Sequence, residues 1–224
     1  MALTAEQIRV TEFSQALPVM AELIESTLAV SSVEQSESRP IRLSVGLPAI
    51  DPLHWLEGQV ATDRLYWSDR AGAFDTAGIG VADQIEADPG DVPGMELRHL
   101  RKMLTSESEP LRYYGGYRFH DEPGGSDNEW NGFSPGRFVL PRFELYREDG
   151  QSQFVCNLAP HSDRGQRAEL IRALKKVMFT ISDGLPMLPS RIERIDLPDR
   201  MAWQTGVEAT LTAINDDELL KVVL

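Results

Sequence analysis

Cysteine is almost absent from the sequence, since the 224 residues contain only Cys156. A single cysteine excludes an internal disulfide and any zinc site built from CxxC pairs, and it fits a reducing cytoplasm. No apolar run approaches the roughly 18 residues that a membrane helix needs. The first residues, MALTAEQIRVTEF, lack a basic start before an apolar block, so they do not resemble a secretory signal. These absences predict a cytoplasmic protein.

Basic residues are also few, with 22 Lys and Arg against 35 Asp and Glu and a formal net charge of −13. Binding to nucleic acid requires clustered Lys and Arg that neutralise phosphates, and an anionic membrane surface makes a similar demand. We therefore expect neither nucleic acid nor a membrane as a partner. A pocket for an anionic small molecule would have to be locally basic despite the overall charge.

The remaining composition is that of an ordinary globular protein, with 42% hydrophobic and 25% charged residues. No linker is both long and compositionally distinct, so we predict one region over residues 1–224. Residues 1–60 would hold a helix and a connector, residues 60–200 an antiparallel sheet with helices, and residues 201–224 the start of a further region.

Apolar periodicity predicts a run of antiparallel strands interrupted by helices, which is an α+β fold. Pro18 should kink or divide the first helix, and Asp149-Gly150 predicts a hairpin turn. The predicted helices cover residues 4–30, 93–104, 164–181 and 203–214, with a short helical turn at 51–55. The predicted strands cover residues 40–47, 59–69, 71–82, 111–119, 138–147 and 153–158.

The last stretch of the sequence combines a helical pattern with the beginning of a strand. A polar break at Asn215–Asp217 separates the two, and Val222–Leu224 is an apolar, β-branched run. Natural chains tend to end in polar, poorly ordered residues, so we interpret this chain as truncated. The apolar stripe of the helical part consists of Trp203, Val207, Leu211 and Ile214.

Several segments follow one another in an order that resembles a known family. Leu65–Arg70 reads LYWSDR, Arg112–Phe119 reads RYYGGYRF, and Arg137–Leu145 reads RFVLPRFEL. Upstream of the third segment stand Trp130 and Phe133, and the sequence ends in Leu-Lys-Val-Val-Leu. Together these segments resemble the chorismate-using enzymes, isochorismate synthase most closely. The resemblance implies the N-terminal part of the anthranilate synthase component I-like, chorismate-binding fold, with antiparallel sheets and flanking helices.

The resemblance also implies a role for Lys221. In isochorismate synthase, the lysine of this segment is the general base that activates water to attack C2 of chorismate, while a glutamate elsewhere helps the C4 hydroxyl to depart. Burial can lower the pKa of a lysine enough for this role. Anthranilate synthase carries glutamine there, so lysine favours water as the nucleophile. Spacing alone would indicate a surface lysine ahead of a strand.

The family's general-acid glutamate and its magnesium-binding carboxylates follow this segment, which here means beyond Leu224. The resemblance therefore implies chorismate as substrate, magnesium as cofactor, and a chain that is inactive by itself. The LYWS and LPR segments favour menaquinone synthesis over siderophore synthesis. A salicylate or anthranilate synthase relative stays open, as does a non-catalytic binding or assembly module whose bare strand at 222–224 would pair with another chain. The sequence does not predict an oligomeric state.

Other residues with possible chemistry have simpler structural interpretations. The run His161-Ser162-Asp163 is a turn, because the members of a catalytic triad converge from separate segments. The acidic loop from His120 to Glu129 matches no metal-binding spacing and is a solvated loop. Arg137 and Arg142 should pair with acids on the sheet. The remaining interpretations are Gly115-Gly116 as a strand bulge, Trp67, Trp130, Tyr113, Tyr114 and Tyr117 as core and sheet-face aromatics, and Cys156 as buried and inert.

Overall fold

A computed structural model describes residues 8–30, 39–87, 95–104, 110–118, 134–179, 195–216, 218 and 221. The chain divides into two compact units, residues 1–183 and 184–224, and each is described by itself. The helices are α1 Phe13–Val30, α2 Pro52–Glu57, α3 Met95–Leu104, α4 Pro160–Asp163, α5 Arg167–Leu174 and α6 Arg200–Asn215. The strands are β1 Ile41–Leu47, β2 Arg64–Ser68, β3 Phe74–Ala87, β4 Tyr114–Tyr117, β5 Gly136–Glu148 and β6 Gln151–Leu158.

The first unit is built on one antiparallel sheet with the strand order β1-β6-β5-β3-β2. The long strand β5 pairs with β3 along one side, while β6 and β4 share its other side. The β5–β6 hairpin turns at Asp149 and Gly150, both at positive φ as this tight turn requires. The α+β prediction, with antiparallel strands and flanking helices, is confirmed.

The two faces of the sheet differ in chemistry because side chains alternate along each strand. One face is apolar and packs against α1 and α2. On β5 it carries Phe143 and Leu145, and both are buried. The opposite face carries polar side chains that are also buried, including Arg42, Thr76, Glu144 and Asn157. We call this second face the polar face.

The helix α1 lies on the apolar face through residues spaced four apart. Its fully or almost fully buried residues are Ala16, Met20, Ile24 and Leu28. This spacing places them on one side of the helix. The aromatic ring of Phe154 fills the centre of the core and meets Phe179 edge to face, with 5.2 Å between ring centroids. Each such buried side chain contributes about 1.5–3 kcal/mol relative to its exposure to water.

One buried amide side chain joins distant parts of the first unit. Gln59 follows α2 and is nearly inaccessible to solvent. Its Nε2 donates to the carbonyl oxygens of Trp55 and Met178, at 2.8 and 2.7 Å, and its Oε1 accepts from the backbone N–H of Met178 at 3.1 Å. Gln59 therefore fixes the chain after α5 against the end of α2.

Some element boundaries differ from the sequence prediction. The first helix begins at Phe13, because residues 8–10 are extended and pair with Gly46 through two backbone hydrogen bonds of 2.8 and 2.9 Å. The helix then runs continuously through Pro18, and Pro18 is exposed to solvent. The predicted helix over 164–181 is shorter, and its described regular part is α5. The predicted strand at 222–224 lies outside the described residues, and the single region over 1–224 stays a prediction.

None of the helices in the described part of the chain is both long enough and apolar enough to cross a lipid bilayer.

Candidate functional site

A buried carboxylate, Glu144, is the centre of the polar face. Its Oε2 accepts from Nη1 of Arg42 at 2.6 Å, and the two side chains are 0% and 3% exposed. Its Oε1 accepts from the hydroxyls of Tyr114, at 2.7 Å, and of Thr76, at 3.0 Å. The four residues come from four strands, β1, β3, β4 and β5. Glu144 therefore ties together most of the width of the sheet.

The electrostatics of this cluster follow from burial and from the close charge pair. Burial disfavours the charged guanidinium of Arg42, but the attraction and hydrogen bond of Glu144 outweigh it, and the pKa of Arg42 is raised. Burial raises the pKa of the Tyr114 hydroxyl above its ordinary value, and the charge of Glu144 raises it further. Arg42 is thus a cation, and Tyr114 a neutral donor, at physiological pH.

A second arginine lies on aromatic rings beside this cluster. The guanidinium of Arg112 is 4.5 Å from the ring centroid of Phe74 and 4.7 Å from that of Tyr146. The guanidinium of Arg42 is 5.3 Å from the same Tyr146 ring. A cation over a ring face within about 6 Å is attracted by the π electrons. The ring of Tyr146 therefore lies close to both cations, the buried Arg42 and the more exposed Arg112.

Arg112 also lines an open groove with a volume of about 710 Å³. The groove is lined by β2, by Phe74 at the start of β3 and by the segment that leads into β4. Trp67 is 50% exposed there, so it is a sheet-face residue but not a core residue. Arg112 pairs with Glu148 at 3.4 Å, in a loose and partly solvated contact. The described lining is Leu65, Tyr66, Trp67, Phe74, Leu104, Leu111, Arg112, Tyr113, Tyr114, Gly115 and Glu148.

The LPR segment supplies a clamp between the sheet and α4. Nη1 and Nη2 of Arg142 donate to the two carboxylate oxygens of Asp163, at 2.6 and 3.0 Å, and Nη1 also donates to the carbonyl oxygen of Asn157 at 2.8 Å. Asp163 Oδ2 further accepts from the backbone N–H of Ala159 at 2.7 Å. Asp163 is therefore a structural anchor, and His161–Asp163, interpreted from the sequence as a turn, belongs to the short helix α4.

Replacing Arg142 with lysine is expected to lower the free energy of unfolding by about 1–3 kcal/mol, because a single ammonium cannot reproduce the two-point contact with Asp163. Urea unfolding monitored by circular dichroism measures the change. The matched control is Arg137→Lys, since Arg137 is partly exposed on the sheet, pairs with Glu86 at 3.5 Å and donates to Gln84 Oε1 at 2.9 Å. We expect that control to change stability by less than about 1 kcal/mol. Equal losses in the two variants would contradict the clamp.

The predicted base, Lys221, lies in the second unit. It is exposed and belongs to no helix or strand, and its neighbours Val222–Leu224 lie outside the described residues.

Cys156 is fully buried, and burial raises the pKa of its thiol to about 12, which makes it unreactive near neutral pH. Arg137 pairs with an acid on the sheet, as predicted, whereas the acid that meets Arg142 is on a helix.

Within the described ranges, no group of three His, Cys, Asp or Glu side chains is placed to hold a metal ion. The predicted acidic loop from His120 to Glu129 lies outside those ranges. The described residues thus do not fit a magnesium site.

Sequence reasoning missed Glu144 and its partners as a cluster. A signal existed, because Glu144 stands between Phe143 and Leu145 in a strand whose neighbours are buried. A charged residue inside such a strand requires a partner. Arg42 also alternates with apolar residues in its own strand. Their pairing could not be predicted, since the two residues are 102 positions apart.

The fold defines a class of α+β proteins in which one antiparallel sheet is covered by helices on its apolar face and carries a buried charge cluster on its polar face. The family model for chorismate binding enzymes matches residues 25–224. The chain belongs to this chorismate-binding enzyme family, and the resemblance to isochorismate synthase is confirmed.

Two relatives show how much of the family's length is represented. Isochorismate synthase 2, chloroplastic, from Arabidopsis thaliana is 29% identical over 138 residues, which are 58% of this chain and 24% of that protein. The structure of MenF, the menaquinone-specific isochorismate synthase from Escherichia coli, is similar with a TM-score of 0.56 and 21% identity. That similarity covers 89% of this chain and 42% of the MenF chain, and it shows the fold alone. The chain thus spans less than half the length of either relative.

Proposed function

We propose that the chain is the N-terminal portion of an isochorismate synthase, which converts chorismate to isochorismate. The observation that carries the proposal is the family match, which runs from residue 25 to the end of the sequence and includes Lys221. The relative from Arabidopsis thaliana supports the same reaction by its name. We propose menaquinone synthesis as the pathway, which the LYWS and LPR segments of the sequence favour.

In the proposed reaction, Lys221 takes a proton from a water molecule as the water oxygen bonds to C2 of chorismate. The ring double bond shifts, and the C4 oxygen leaves with a proton from a general acid. One water is added and one is lost, so the product is an isomer of the substrate. Lys221 can act as the base only while part of its population is neutral, and burial favours the neutral form.

This requirement explains why we propose that the 224-residue chain is inactive by itself. Lys221 is exposed in the second unit, so further polypeptide would have to bury it. We propose that the general acid and the magnesium ligands also lie outside these residues. Magnesium bound by that other portion would then neutralise the carboxylate charge of the substrate.

The test is a product assay on the complete open reading frame that encodes this chain, with chorismate and magnesium. We expect isochorismate from the complete protein and none from residues 1–224 alone. Lys221→Gln should lower the rate at least about a hundredfold, as loss of a general base does. Lys176→Gln, at an exposed lysine beyond α5, should leave it unchanged.

The outcomes separate the candidate functions. Salicylate or anthranilate as the only product would replace isochorismate synthase with one of its relatives. An unchanged rate in Lys221→Gln would remove Lys221 from the mechanism while leaving the reaction in place. A reading frame that stops after Leu224, together with a product-free assay, would favour the non-catalytic module.

A further inference from the structure

We draw no further inference here: the strongest candidate, the open groove lined by β2, by Phe74 at the start of β3 and by the segment that leads into β4, belongs to the site already described, and nothing in the described part of the chain shows what covers its exposed Tyr66 and Trp67 side chains.

Discussion

Replacing Glu144 with alanine is expected to lower the free energy of unfolding by about 3–5 kcal/mol, because the change leaves the charge of Arg42 buried without its partner. The hydroxyls of Tyr114 and Thr76 lose their acceptor in the same variant. Urea unfolding measures the loss as a lower transition midpoint. If the alanine variant does not fold, Glu144→Gln keeps the shape and should show a smaller loss of the same sign.

Glu148 provides the matched control for this prediction. It stands on the same strand and the same face as Glu144, but its contact with Arg112 is partly solvated. Glu148→Ala should therefore cost less than about 1 kcal/mol. The double variant Arg42→Met with Glu144→Leu should recover part of the stability, since no charge is left unpaired, although the hydroxyls of Tyr114 and Thr76 still lack their acceptor. Similar losses for Glu144→Ala and Glu148→Ala would refute the account of the cluster.

Replacing Gly115 with alanine is expected to destabilise the chain by about 3 kcal/mol or to detach β4 from β5. A Cβ atom at this position would lie 1.8 Å from the carbonyl oxygen of Arg137. Because this oxygen belongs to the backbone, it cannot move aside as a flexible side chain could. Hydrogen exchange of the amides that pair β4 with β5 measures the detachment directly. The segment that lines the groove before β4 should lose protection in the same variant, because it leads directly into β4.

The neighbouring glycine gives an internal control. A Cβ at Gly116 would meet no atom within 4 Å, so Gly116→Ala should leave stability nearly unchanged or slightly raise it. The sequence pattern predicts a strand bulge at the paired glycines. In the structure both lie in a regular strand, and only the first is required by a close approach of two backbones. If the two alanine variants behave alike, that distinction is wrong.

Local patterns in the sequence were sufficient for much of the fold. Alternating residues predicted most strands, since a sheet with one buried apolar face forces that alternation. The Asp149-Gly150 pair predicted the hairpin, because both residues adopt positive φ readily. The start of α1 was predicted too early. Ile8 fits the apolar stripe of the predicted helix, but the backbone groups of residues 8–10 pair with Gly46. A contact between residues so distant along the chain leaves no local signal in the sequence.

What the sequence alone determined is the family, because segments such as LYWSDR and RFVLPRFEL resemble those of the family in composition and in order, and this resemblance requires no knowledge of the geometry. The proposed role of Lys221 comes from the resemblance of the last segment, Leu-Lys-Val-Val-Leu, and the described residues add only that Lys221 is exposed. Only the tertiary structure decided that Arg42 and Glu144 are partners and that Asp163 anchors Arg142. These pairs join residues that lie far apart in sequence or on different elements, and a charge finds its partner only when the strands and helices that carry both have been packed.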